Sequence, residues 1–132
     1  MSDRDFLVDV FGIFRPGQIR IVWRDEPRPP HPELDELVAR TWAEQVRQRG
    51  EGASLFNGPL ARVLRYRTFD GVLEVEVGPS DYANFLATNY LHPHLGPKIG
   101  WELFSNPLGT SATIRTADGW LVQGRRNERV AC

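Results

Sequence analysis

Two Asp-Gly pairs, Asp70-Gly71 and Asp118-Gly119, each stand between runs rich in β-branched and aromatic residues. Glycine takes a positive φ without a Cβ penalty and aspartate tolerates one, so such a pair closes a tight hairpin. The first predicts strands over Leu60–Phe69 and Val72–Val77, the second over Thr110–Thr116 and Trp120–Arg126. In the first hairpin Leu73, Val75 and Val77 alternate with Glu74 and Glu76, which predicts one buried and one acidic face. Arg62, Arg65 and Arg67 on the outgoing strand are expected to pair with those acids across the ladder, with a functional patch as the alternative.

The remaining elements are set by periodicity and by breakers. Phe6–Phe14 is short and apolar, a candidate strand closed by Arg15-Pro16-Gly17, and Gln18–Trp23 alternates Ile19, Ile21 and Trp23 with other residues as a half-buried strand does. Four prolines between Asp25 and Pro32 predict an extended connector. Pro32–Arg49 is a helix: Leu34, Leu37, Val38, Trp42 and Val46 form one stripe, with acids in the first turn and Arg47 and Arg49 in the last. Ser80 is the expected N-cap of a second helix through about Leu91, with Asp81 in its first turn and Tyr82, Phe85, Leu86 and Tyr90 on one face. Leu91–Gly100 is expected to be a loop, and Trp101–Phe104 a brief strand or turn. This order of hairpins and two helices predicts an α+β fold with a mainly antiparallel sheet, over residues 1–132 as one domain.

Bulk properties narrow the function classes. A net charge of −1 gives no basic field for nucleic acid. No apolar run approaches the roughly 20 residues of a membrane span, and the first residues, which lack a cationic start followed by a long apolar core, lead us to expect no signal peptide. The single cysteine, Cys132, forms no intrachain disulfide and fits a reducing cytoplasm.

Two clusters are candidates for ligand contact. Thr88 and Asn89 offer hydroxyl and carboxamide groups suited to a base or sugar edge, beside the aromatic surface of Tyr82 and Phe85. Asn89 as a helix-end ligand, and a backward bond from Thr88, are the structural alternatives. Arg125, Arg126 and Arg129 end the second hairpin, and arginine forks grip a diphosphate. Adjacent strand residues point to opposite faces, so Arg125 and Arg126 cannot both meet one ligand, and a solvated strand end explains them as well. His92-Pro93-His94 lacks the further ligands of a metal site.

Taken together, Tyr82-x-x-Phe85-x-x-Thr88-Asn89, then Asn106-Pro107-Leu108-Gly109, then Ala112–Asn127 ending in Gln123-Gly-Arg-Arg-Asn127 resembles a Nudix hydrolase of the UDP-sugar diphosphatase-like branch. The Trp42 helix and Leu55-Phe56-Asn57-Gly58 fit the same layout, so the resemblance spans residues 40–131. It implies a partial Nudix-like α/β/α sandwich, with 1–105 as an N-terminal region and 106–132 as the first hairpin. It implies a nucleoside-diphosphate-sugar ligand met by Tyr82, Thr88, Asn89, Arg125 and Arg126. In such enzymes Mg²⁺ is held by glutamates of the Nudix box, expected shortly after Ala131 and absent from these 132 residues. The expectation is a recognition part that binds no metal cofactor and is inactive alone. The alternative is a free-standing interaction module that meets a second chain, or its own copy, through an exposed sheet edge. An enzyme with a different site is a third possibility, without a nucleophile and matched base to support it.

Overall fold

A computed structural model describes residues 8–49 and 55–124. The fold is α+β. Strand β1 (Ile19–Trp23) leads through the proline connector to helix α1 (Pro32–Arg49). Strands β2 (Pro59–Phe69) and β3 (Val72–Asp81) form the first hairpin, and helix α2 (Tyr82–Phe85) continues as a π-helical turn over Leu86–Tyr90. Helix α3 (Gly96–Ile99) follows, and strands β4 (Ile114–Arg115) and β5 (Leu121–Val122) make the second hairpin. Phe6–Phe14 has no strand in its described part, 8–14.

The first hairpin turns where expected, with Asp70 at φ 47° and Gly71 at φ 74°. Its sheet has the order β1-β3-β2, with β2 antiparallel and β1 parallel to β3, so the sheet is mixed. The register shifts between Val63 and Arg65, a β-bulge. Its effect is specific: three positions apart, Arg62 and Arg65 would otherwise face opposite ways, but the extra residue puts Arg62, Arg65 and Arg67 on one face. Across the ladder they meet Gly78, Glu76 and Glu74 respectively.

That face is not the solvated acidic surface the alternation suggests. Glu74 is 4% exposed and lies between Arg20 at 3.4 Å and Arg67 at 2.8 Å. Glu76 lies between Arg24 at 3.1 Å and Arg65 at 2.7 Å. The arginine stems cover the carboxylates while their heads reach water. The expected cross-strand pairing holds for Arg65 and Arg67 and fails for Arg62, whose partner position is a glycine.

The core joins Val75 and Val77 to Leu34, Leu86, Ala87 and Phe104. The α1 stripe holds at Leu34 but loses Val46, which is 47% exposed, because the last turns run past the elements it packs on; Thr41 is buried instead. On β1 the alternation is right but the burial is not. Ile19, Ile21 and Trp23 are about half exposed, since β1 is an edge strand with no layer over its apolar side among the described residues. Ser80 does not cap α2. It lies within the last residues of β3 and bonds Ser105 (Oγ to Oγ, 2.6 Å), while the Asp81 carboxylate accepts from the Asn84 N–H at 2.8 Å as the N-cap. Leu91–Gly100 is not wholly loop, because Pro93–Leu95 and Gly96–Ile99 form single helical turns.

Candidate functional site

Residues 101–108 wrap the end of β2. Val63 N–H donates to the Asn106 carbonyl at 2.9 Å and Leu108 N–H to the Ala61 carbonyl at 2.7 Å, so this segment extends the sheet briefly. Asn106 holds φ 42°, a left-handed conformation that asparagine tolerates better than most residues.

This geometry brings Asn89 and Asn106 together. The Asn89 Oδ1 accepts from the Asn106 backbone N–H at 2.9 Å, and its Nδ2 donates to the Asn106 Oδ1 at 3.0 Å. Asn106 Nδ2 donates onward to the Trp101 carbonyl at 2.7 Å. Thr88 is fully buried; its hydroxyl donates back to the Asn84 carbonyl at 2.6 Å and accepts from Ser105 N–H at 3.2 Å. The backward bond expected of Thr88 is therefore present. Asn57 has a parallel part: its Oδ1 accepts from Ala83 N–H at 2.8 Å, while the Gly58 carbonyl accepts from Tyr82 N–H at 2.9 Å.

Asn89 and Asn106 lie on the wall of an open groove of about 750 Å³ over the apolar side of β2 and β3, lined also by Val63, Tyr66, Val75 and Leu108. Burial and a hydrogen bond to Asp9 raise the Tyr66 hydroxyl above its ordinary pKa. Tyr82 is not in this wall. It packs edge-on to Trp42 of α1 at 6.4 Å and against Phe85 at 5.9 Å. Arg125 and Arg126 lie outside the described residues. Thr88 and Asn89 are thus brought to the 104–106 segment, and Tyr82 is turned toward α1.

Asn106 is the residue of this wall that periodicity missed, because a left-handed asparagine before proline leaves only a faint signal. Among the described residues no three of His, Cys, Asp and Glu converge on a metal position, and His92 Nδ1 lies 2.7 Å from the Ala87 carbonyl oxygen. No described helix is long and apolar enough to cross a membrane. Comparison with known proteins finds no matching family model and no matching curated protein.

Proposed function

We propose that this chain is the nucleotide-sugar recognition part of a Nudix-type diphosphatase, acting in the cytoplasm and unable to hydrolyse its ligand alone. The Asn89–Asn106 junction carries the reading. It ties Y-x-x-F-x-x-T-N to N-P-L-G, the two motifs on which the resemblance rests, and does so at a groove within the ~300–1,000 Å³ range of small-molecule sites. The carboxamides offer donors and acceptors to a base or sugar edge, and one of Arg125 and Arg126 would grip the diphosphate. Cleavage needs hard oxygen ligands around Mg²⁺, and the 132 residues contain no Nudix box to supply them.

Calorimetric titration with UDP-glucose, paired with chromatographic detection of UMP and glucose 1-phosphate, tests this. Saturable binding without turnover is expected, and one of Arg125→Ala and Arg126→Ala should weaken it about tenfold while the other does not. Asn89→Ala should lower stability by about 1–3 kcal/mol, because it strands the Asn106 N–H. Absence of binding at millimolar ligand refutes the recognition role; chelator-sensitive turnover by the pure chain refutes its inertness.

A second reading has its own observation. Ile19, Ile21 and Trp23 are 45%, 53% and 56% exposed along the edge strand β1, a surface suited to pairing with another chain. A concentration-dependent mass in sedimentation equilibrium, abolished by Ile21→Lys, favours this interaction module; a monomer at all concentrations counts against self-association.

A further inference from the structure

On the charged face of the sheet, pairing runs opposite to burial. Arg20, Arg65 and Arg67 have side chains 65%, 59% and 68% exposed, yet each has a carboxylate partner. Arg62 is 4% exposed and has none among the described residues. The register is the cause, since β3 offers Glu76 to Arg65 and Glu74 to Arg67, but Gly78 to Arg62. Two backbone carbonyls fix the fork instead: Nη2 donates to Glu102 O at 2.8 Å and Phe104 O at 3.3 Å, closing the 3₁₀ turn Trp101–Leu103. Nε is buried without a partner. Carbonyl dipoles orient a guanidinium but do not neutralise it, and an uncompensated buried charge is costly. Burial, reinforced by Arg28, holds the Arg62 pKa below the ordinary arginine value, with only Glu26 opposing.

Arg62 forms part of the wall of a cavity of about 410 Å³ between the proline connector and residues 101–106. Trp101 is another part of that wall. Its indole is half exposed, packs edge-on to Phe104 at 5.1 Å, and sits on Gly96, where a Cβ would come within 2.6 Å of the ring. The indole is therefore clamped and still offers open aromatic surface. The other charged groups of the wall are Glu26, Arg65 and Glu102. Glu26 is taken by Arg65 at 3.3 Å, and the Glu102 side chain folds back against Gly100.

We propose that this cavity binds a small aromatic anion, its carboxylate or phosphate group meeting Arg62 and its ring lying on Trp101. The cavity shares Val63 and Asn106 with the Asn89 groove, but the anion contacts proposed here use neither, so the proposal does not rest on the nucleotide-sugar reading. A bound anion would supply the charge that Gly78 withholds, in a low-dielectric wall where charge-assisted bonds are strong. Trp101 would add stacking area at no ordering cost, since its rotamer is already fixed.

The test is NMR titration of the whole chain, following the Arg62 Nε–Hε and Trp101 indole resonances. Benzoate and phenyl phosphate are the probes, and neutral benzamide is the control. Benzoate, phenyl phosphate or both should shift the two resonances saturably, and benzamide should not; whichever probe binds tells carboxylate from phosphate. Trp101→Ala should weaken binding about tenfold, and Glu102→Gln should tighten it several-fold by removing a like charge from the wall. Tightening by Glu102→Gln is the outcome that a purely structural Arg62 would not give. Arg62→Met should abolish the response if it folds; if it does not, the other two variants decide. No saturable shift at millimolar probe, an equal response to benzamide, or unchanged affinity in both Trp101→Ala and Glu102→Gln overturns the proposal.

Discussion

The hairpin closed by Asp70-Gly71 pairs strands of 11 and 10 residues, from Pro59 to Asp81, and sends Val75 and Val77 into the core. The hairpin closed by Asp118-Gly119 pairs only Ile114-Arg115 with Leu121-Val122 and leaves Ile114, Trp120, Leu121 and Val122 more than half exposed. Both turns close on a positive-φ glycine, Gly71 at 74° and Gly119 at 91°. The first is a two-residue turn with Asp70 also at positive φ, whereas the second spans 117–119, with the Gly119 N–H donating to the Thr116 carbonyl at 2.9 Å. The larger difference is cover. The first is flanked by β1 and packed under the core residues of α1, the π-helical turn and Phe104; the second has no such layer among the described residues. A turn sequence sets where a chain reverses, and the burial available to the flanks sets how far the ladder runs, because an isolated two-stranded hairpin is marginal in water. The domain is therefore expected to unfold as one unit around the first hairpin, with the second opening independently.

The largest effect that tests this contrast belongs to Gly78. A Cβ there would meet the Glu26 carbonyl oxygen at 2.5 Å and the Arg24 carbonyl oxygen at 3.2 Å, both backbone atoms of the connector crossing β3. Gly78→Ala should destabilise the domain by about 3 kcal/mol or more, since neither atom can swing aside. Wild-type stability in urea denaturation would mean that the connector is not fixed over β3. A smaller effect compares the turns directly. Gly71→Ala and Gly119→Ala impose the same kind of positive-φ strain, about 1–2 kcal/mol, and neither new methyl meets anything closer than 3.5 Å. Gly71→Ala should lower global stability by that amount, whereas Gly119→Ala should leave the urea midpoint unmoved and only hasten amide exchange at Thr116 and Trp120. Equal losses from both would show that the second hairpin belongs to the cooperative unit, and would break the contrast.

What could be seen in the sequence follows the same division. Turn positions, the helix Pro32–Arg49 and the Arg65 and Arg67 pairings rest on interactions between near neighbours, and those are legible. The parallel pairing of β1 is a long-range choice between edges that alternation does not specify. Ser80 lost the cap to Asp81 because β3 runs on to Asp81 itself, four residues beyond the last alternating valine, and places Ser80 against Ser105. In the candidate groove Asn89 was legible from residue type and motif, but Asn106 as its partner was not, because 17 residues separate them. Arg62 escaped for a different reason: a bulge shifts facing by one residue without changing composition.

The smallest effect concerns the ion pairs, which among the described residues the first hairpin makes and the second does not. Hydrogen bonds from Arg24 and then Arg65 hold the Glu76 carboxyl below its ordinary pKa. The folded state thus binds this proton less readily than the unfolded chain. The resulting stability is present above the unfolded value of about 4.3 and is lost as pH falls through the lower, folded one. Glu76→Gln should therefore lower stability modestly at neutral pH and flatten its decline on the acid side, measured as urea midpoints from pH 7 down to about 3. The difference from wild type should shrink in high salt, because both arginines stand more than half in water. An acid limb unchanged by the substitution would mean that the Arg24–Glu76–Arg65 bridge holds no more tightly than solvated charges. In that event the first hairpin would owe its length to apolar cover alone, and the contrast between the two hairpins would reduce to burial.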